Sequence, residues 1–121
     1  GDESRSNPWL AELQQDMFIE INPGDANDRG IKDGDWVWVE GPEGGRIKVK
    51  AMVTRRVARG VVWTPYHFGG WYQGEDLIDK YPEGTQPYVR GDSANTIFTY
   101  GYDSVTMMQE TKASLCQIQR A

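Results

Sequence analysis

The chain has 121 residues, 38% of them hydrophobic, with five tryptophans, six tyrosines and a net charge of −5. That length makes one domain, residues 1–121, with a single modest core to which large aromatic rings contribute much of the buried area. The negative charge argues against the basic face of a nucleic-acid module; no run approaches the roughly 18 apolar residues of a membrane span, and no signal peptide opens the chain.

Residues 1–6, "GDESRS", read as disordered or as a remnant of cloning or cleavage. "SNPWLAELQQ" predicts a short helix with Ser6 or Asn7 as its N-cap and Pro8 at the first helical position. "MFIEIN" predicts a strand with Phe18 on one face and Met17, Ile19 and Ile21 on the other. "PGDANDRG" predicts one helical turn closed by Gly30. The clearest signal follows. "DWVWVE" alternates, breaks at "GPEGG" and returns as "RIKVKAMVT", in which Ile47, Val49, Ala51 and Val53 alternate with polar residues. That is a period-2 hairpin with one wet face. "EGPEGG" lacks the Lys-Ser/Thr or helix start of a phosphate-cradling loop, so it reads as the hairpin turn.

"VARGVVW" predicts another turn and strand, and "KASLCQIQ" a closing one. Residues 71–92 read as a loop-rich insertion with a helical turn over 75–80. Six of the thirteen basic residues fall in 46–59, a pattern better suited to a solvated strand face than to an anion site. Trp36 and Trp38 alternate with Val37 and Val39; they read as core, or as a surface packed on a neighbouring domain. Many short strands with little helix suggest a small closed barrel, which leaves no unpaired edges.

Catalytic chemistry is thinly represented. One histidine and one cysteine, His67 and Cys116, lie far apart in sequence and supply no metal-ligand spacing, so no metal site and no catalytic residue is assigned. Cys116 reads as a buried small hydrophobe rather than a reactive thiol. His67 lies in "TPYHFGGWYQ", among Tyr66, Phe68, Trp71 and Tyr72, either as a histidine satisfied in an aromatic cluster or as part of a wall against a flat ligand.

The order "EINPGDANDRGIKDGDWVWVEGPEGGRIKVKAMVTRRVARGVVWTPYHFGG", followed by "SANTIFT" and "MMQETKASLCQI", resembles the C-terminal molybdopterin-dinucleotide-binding domain of the formate dehydrogenase alpha subunit, a molybdenum or tungsten oxidoreductase. Related nitrate, polysulfide and dimethyl sulfoxide enzymes carry similar domains. The resemblance implies a six-stranded double-psi β-barrel, all-β with short helices. It also implies a bis-molybdopterin guanine dinucleotide cofactor carrying molybdenum or tungsten, used for two-electron oxidation of formate to carbon dioxide. Family members usually have one more strand before the segment corresponding to "NPWLAEL"; here only "SRS" stands in its place, which leaves open a barrel lacking its first strand.

Carried over residue by residue, the resemblance implies that His67 and Phe68 line the cofactor and that Asn95 meets the pterin's amide-like edge. Lys112 and Arg5 are the implied cations, and Thr111 stands where the family often has a tyrosine. Each has a plainer alternative: Asn95 as a left-handed turn residue, Lys112 as an exposed lysine at a strand start. Backbone donors of "HFGG" could approach the ligand closely because glycine has no side chain. The implied partners are the remaining domains of the catalytic subunit and an iron–sulfur electron-transfer subunit, without nucleic acid or direct membrane insertion. The compartment stays open, with the periplasm favoured over the cytoplasm. Two rival readings are a separate small subunit of a molybdenum or tungsten complex, as in formylmethanofuran dehydrogenase, and a cofactor-free interaction barrel.

Overall fold

The computed structural model of the chain describes residues 9, 16–66, 68–85, 90–98, 104–106 and 113–121. These residues are mostly β with little helix, in two sheets. Of the predicted first helix only Trp9 is described; it is helical and exposed.

Strand β1 (Phe18–Ile21) buries Ile19 and Ile21, with Met17 just before it, and leaves Phe18 half-buried on the other face, as the alternation requires. Helix α1 (Pro23–Asp28) follows at once. Asn22 caps it by accepting the Gly24 N–H at 2.9 Å, and Pro23 enters where its missing N–H costs nothing. The Ile31 N–H then reaches back to the Ala26 carbonyl at 2.8 Å while Gly30 turns at φ 67°, a left-handed C-terminal stop.

Strands β2 (Trp36–Glu40) and β3 (Arg46–Val53) form the predicted hairpin, with Val37 opposite Val49 and Val39 opposite Ile47. All four side chains are 0% exposed, and burying each contributes roughly 1.5–3 kcal/mol. β1 runs parallel to β3, with Phe18 opposite Lys50. A short β4 (Val62–Trp63) lies antiparallel on the outer side of β1, and β8 (Gln117–Arg120) lies antiparallel on β2. The order β4-β1-β3-β2-β8 is a curled half-barrel whose two outer strands are β4 and β8.

The stretch expected to be loop carries a second sheet instead. Strands β5 (Gly69–Tyr72), β6 (Glu75–Asp76) and β7 (Arg90–Asp92) associate in the order β6-β5-β7. The predicted helical turn over 75–80 is replaced by β6 and a 3-10 turn at Ile78–Lys80. Gln73 (φ 47°) and Gly74 (φ 84°) are both left-handed, the two-residue hairpin turn that matches strand twist. Strands this short show no readable alternation. What holds them is tertiary: Trp71 of β5 stacks on Trp36 of β2 at 6.0 Å, and a side chain added at Gly74 would strike the Trp38 ring.

Trp36 and Trp38 are therefore neither central core nor free surface. They carry the small sheet on the outer face of the large one, beside the cations of β3. The Arg46 guanidinium lies 4.2 Å over Trp38, and the Lys50 ammonium 5.4 Å over Trp36 while also pairing with Asp16 at 2.7 Å. Further along the basic stretch, Arg56 pairs with the buried Glu20 at 3.2 Å, and Arg59 with Asp25 and Asp28.

Asp25 ties α1 to the loop before β4. Its carboxylate accepts the Gly60 N–H at 2.6 Å and the Arg59 Nε at 3.1 Å. The Gly60 bond, with the Arg59 charge adding to it, holds the carboxyl below its ordinary value of 3.8. A lowered carboxylate contributes stability above its unfolded pKa and loses it as pH falls through the folded value. The Gly60 amide resonance is accordingly expected to titrate with a midpoint below pH 3.8. A midpoint at or above that value in an NMR titration would show that the tie is absent in solution.

Candidate functional site

The strand registers bring several turns to one end of the large sheet. The β2–β3 hairpin, residues 41–45, is there by construction of the pair. Because β1 runs parallel to β3, the start of β1 lies at the same end. β4 is antiparallel to β1, so its exit through Thr64 and Tyr66 lies there too, and the Thr64 hydroxyl donates to the Phe18 carbonyl at 2.9 Å. β8 is antiparallel to β2 with Gln117 opposite Glu40, so the run into β8 also arrives at this end. The turn that follows β7 completes the group, packed on the hairpin by the carbonyls of Thr96 and Ile97.

Between β4 and the run into β8 opens a cleft of about 470 Å³, within the range of small-molecule sites. Ile19 and Val39 lie in its depth, and Val61, Trp63 and Leu115 stand at its margins, more than half exposed. Tyr66 and Phe98, both in the lining, approach to 5.8 Å between ring centres and bridge the exit of β4 to the turn after β7. Cys116 also lines the cleft; burial pushes its thiol up, so it is a neutral half-buried hydrophobe. Among the described residues no cluster of three or more His, Cys, Asp or Glu is placed to hold a metal ion, and no helix is long and apolar enough to cross a membrane.

Asn95 occupies a 3-10 turn, Ala94–Thr96, and is exposed, with its backbone N–H donating to Ser93 Oγ at 3.3 Å. It is a turn residue as the plainer alternative had it, but its backbone is not left-handed. Phe68 is 6% exposed and belongs to the core; a side chain at Gly91 would press on both Phe68 and Met17. Gly69 and Gly70 lie in β5, paired with Arg90 and Gly91 of β7, and the Gly70 carbonyl accepts the Leu77 N–H at 2.8 Å. His67, Thr111, Lys112 and Arg5 lie outside the described residues. Their described neighbours do not: Tyr66, beside His67, and Ala113, beside Lys112, both line the cleft, as does Ile97 two positions beyond Asn95.

Asp92 was missed in the sequence. It is fully buried at the end of β7, and its Oδ2 accepts the Lys48 N–H at 2.7 Å and the Gly74 N–H at 2.8 Å. Pairing of β1 with β3 begins beyond this rung, at Phe18 and Lys50, so the carboxylate takes the ladder position that no strand fills. Burial raises the Asp92 pKa, partly offset by the backbone N–H bonds from Lys48 and Gly74. The only signal in the sequence was an aspartate in a short apolar-flanked run, "VRGDSA", which equally suits an exposed turn.

Residues 2–115 match the family model described as "Molydopterin dinucleotide binding domain". The chain belongs to this molybdopterin dinucleotide binding domain family. Over its whole length it is 34% identical to Formate dehydrogenase 2 subunit alpha (cytochrome c-553) of Nitratidesulfovibrio vulgaris, and over 98% of it 32% identical to Formate dehydrogenase subunit alpha of Megalodesulfovibrio gigas. It covers 11% of each of those proteins, so it spans about a tenth of their length. Among solved structures, acetylene hydratase from Pelobacter acetylenicus shares the fold, with a TM-score of 0.66 over 93% of this chain and 15% of the other, at 17% identity.

The described residues of this molybdopterin dinucleotide binding domain fit part of such a group. Aromatic rings at Tyr66 and Phe98 suit a flat bicyclic ring, and the exposed Asn95 amide can donate and accept together along a pterin's edge. A pyrophosphate needs cations, and the described lining of the cleft contains none. The two predicted for it, Lys112 and Arg5, lie outside the described residues.

Proposed function

We propose that this domain forms one wall of a bis-molybdopterin guanine dinucleotide site in the catalytic alpha subunit of a formate dehydrogenase. The observation that carries this reading is the gathering, at one end of the half-barrel, of the segments that adjoin His67, Asn95 and Lys112. The likeness to two formate dehydrogenase alpha subunits along almost the whole chain supports the substrate.

In this reading the mouth of the cleft takes the flat rings. Tyr66 and Phe98 supply apolar surface, and Asn95 reads the pterin edge with paired donor and acceptor. His67 and the Thr111 hydroxyl add polar contacts beside them, and Phe68 supports that wall from the core beneath. Lys112 and Arg5 neutralise the pyrophosphate. When bound, the molybdenum or tungsten centre would supply the two-electron redox chemistry on formate, and an iron–sulfur subunit would serve as its electron acceptor. The chain's own task is to bind and orient the cofactor and exclude water from it. The fold becomes a complete six-stranded double-psi barrel when a further extended segment lies along the body of the cleft, pairing with the outer edges of β4 and β8. The exposed Val61, Trp63 and Leu115 would then be covered.

The test uses the full-length protein with Asn95→Ala and Lys112→Ala. Each removes a polar contact to the cofactor, and pterin released by oxidation and counted by fluorescence, with metal by mass spectrometry, is expected to show binding weakened about tenfold. Wild-type pterin and metal content in both variants would overturn the reading.

A further inference from the structure

We infer that Gly41 and Gly45 are positioning residues, forming a side-chain-free seat on which the Asn95 turn rests so that its amide points at the cofactor. The inference rests on the proposed contact between Asn95 and the pterin. It starts from a feature the hairpin itself does not require. Only Gly44 in this turn is left-handed, at φ 87°; Gly41 and Gly45 have backbone conformations open to any residue. Both positions are nevertheless closed to a side chain. A Cβ on Gly41 would overlap the Ile97 carbonyl, and one on Gly45 would overlap the Thr96 carbonyl. The obstacles are backbone atoms, which cannot swing aside as a side-chain end would.

The turn is held at several points around the exposed Asn95. Asp92 anchors its approach through the Lys48 and Gly74 N–H groups, and Ser93 Oγ caps it. Ala94 and Ile97 are buried in the core on either side of the exposed Asn95. The hairpin glycines supply the remaining face, against the two carbonyls that follow Asn95. Adding a methyl there must push the turn outward, and the exposed residue that this turn carries is Asn95. A misplaced amide no longer meets a flat ring edge with donor and acceptor together.

The experiment is a coupling measurement on the full-length protein, read as pterin and metal content. Gly45→Ala and Gly41→Ala, each alone, are expected to lower cofactor retention about as much as Asn95→Ala, about tenfold. In the Asn95→Ala background either change is expected to add less than about twofold, because the amide it displaces is already gone. Gly44→Asn, which keeps the left-handed turn and meets open space, is expected to retain the cofactor normally. A purely structural role would give losses that add in full to that of Asn95→Ala, and this would overturn the seat. So would a normal cofactor content in both glycine variants when Asn95→Ala alone is depleted. A normal content in Asn95→Ala itself would overturn the Asn95 contact and the seat together. Two glycines tested separately keep the result decisive if one variant fails to accumulate.

Discussion

Replacing Asp92 by alanine is expected to release the small sheet from the large one while leaving the half-barrel folded. The substitution strands two buried backbone donors, the Lys48 and Gly74 N–H groups, which have their partner in one carboxylate oxygen. Leaving such groups unpaired costs about 1–3 kcal/mol each, so a local loss of about 2–6 kcal/mol is expected. Native-state hydrogen exchange in the full-length protein should show it as roughly hundredfold faster exchange in β5, β6 and the Asn95 turn, with β1 and β2 unchanged. Uniform acceleration across both sheets would mean that they unfold as one unit. Asp92→Asn should recover much of the protection, since its amide oxygen can still accept both bonds.

The same carboxylate has a pH signature opposite to that of Asp25. Burial raises the Asp92 pKa, so what it adds to stability is greatest below the unfolded value of about 3.9 and declines as pH rises through the folded one. Asp92 Oδ1 and the Trp71 indole N–H are both buried without a hydrogen-bond partner among the described residues, and the two residues face each other across β5 and β7.

Ile47→Ala is expected to act on the other unit. Ile47 is fully buried near the turn end of the β2–β3 pair, opposite Val39. Truncation leaves a cavity bounded by strands that cannot collapse into it, at a cost of about 2–5 kcal/mol. Exchange should accelerate throughout β1, β2, β3 and β8, a wider pattern than Asp92→Ala gives. Acceleration confined to the hairpin would show that β1 and β8 hold their places without the Ile47 side chain.

The difference between these two substitutions also marks what could be read from the chain alone. The large sheet was legible because its pattern is redundant: Val37, Val39, Ile47 and Val49 alternate over two strands, and Gly30 marks where the helix stops. The parallel pairing of β1 with β3 was not legible, because no local rule specifies which strand a strand will neighbour. The small sheet was hidden for a different reason. Its strands are two to four residues long, and Trp71, Gly74 and Asp92 find their partners on β2 and β3, distant in sequence. At the site, Asn95 could be singled out through a family likeness. Nothing in "GPEGG" announced that Gly41 and Gly45 would meet the carbonyls beyond Asn95 rather than serve the turn.

The pairing of β2 with β8 has a consequence for how the chain is made. β2 is finished only by residues 117–120, and the Ala121 N–H then bonds the Trp36 carbonyl at 3.0 Å. During synthesis on the ribosome, one edge of the central hairpin therefore waits with open hydrogen-bonding groups until nearly the whole described chain has emerged. Closing a loop of that span is slow, and an exposed edge is a template for pairing with another nascent chain. A chain truncated just before Gln117 would thus carry a hairpin that forms readily and aggregates readily, with the defect lying in an unfinished edge rather than in a weak core.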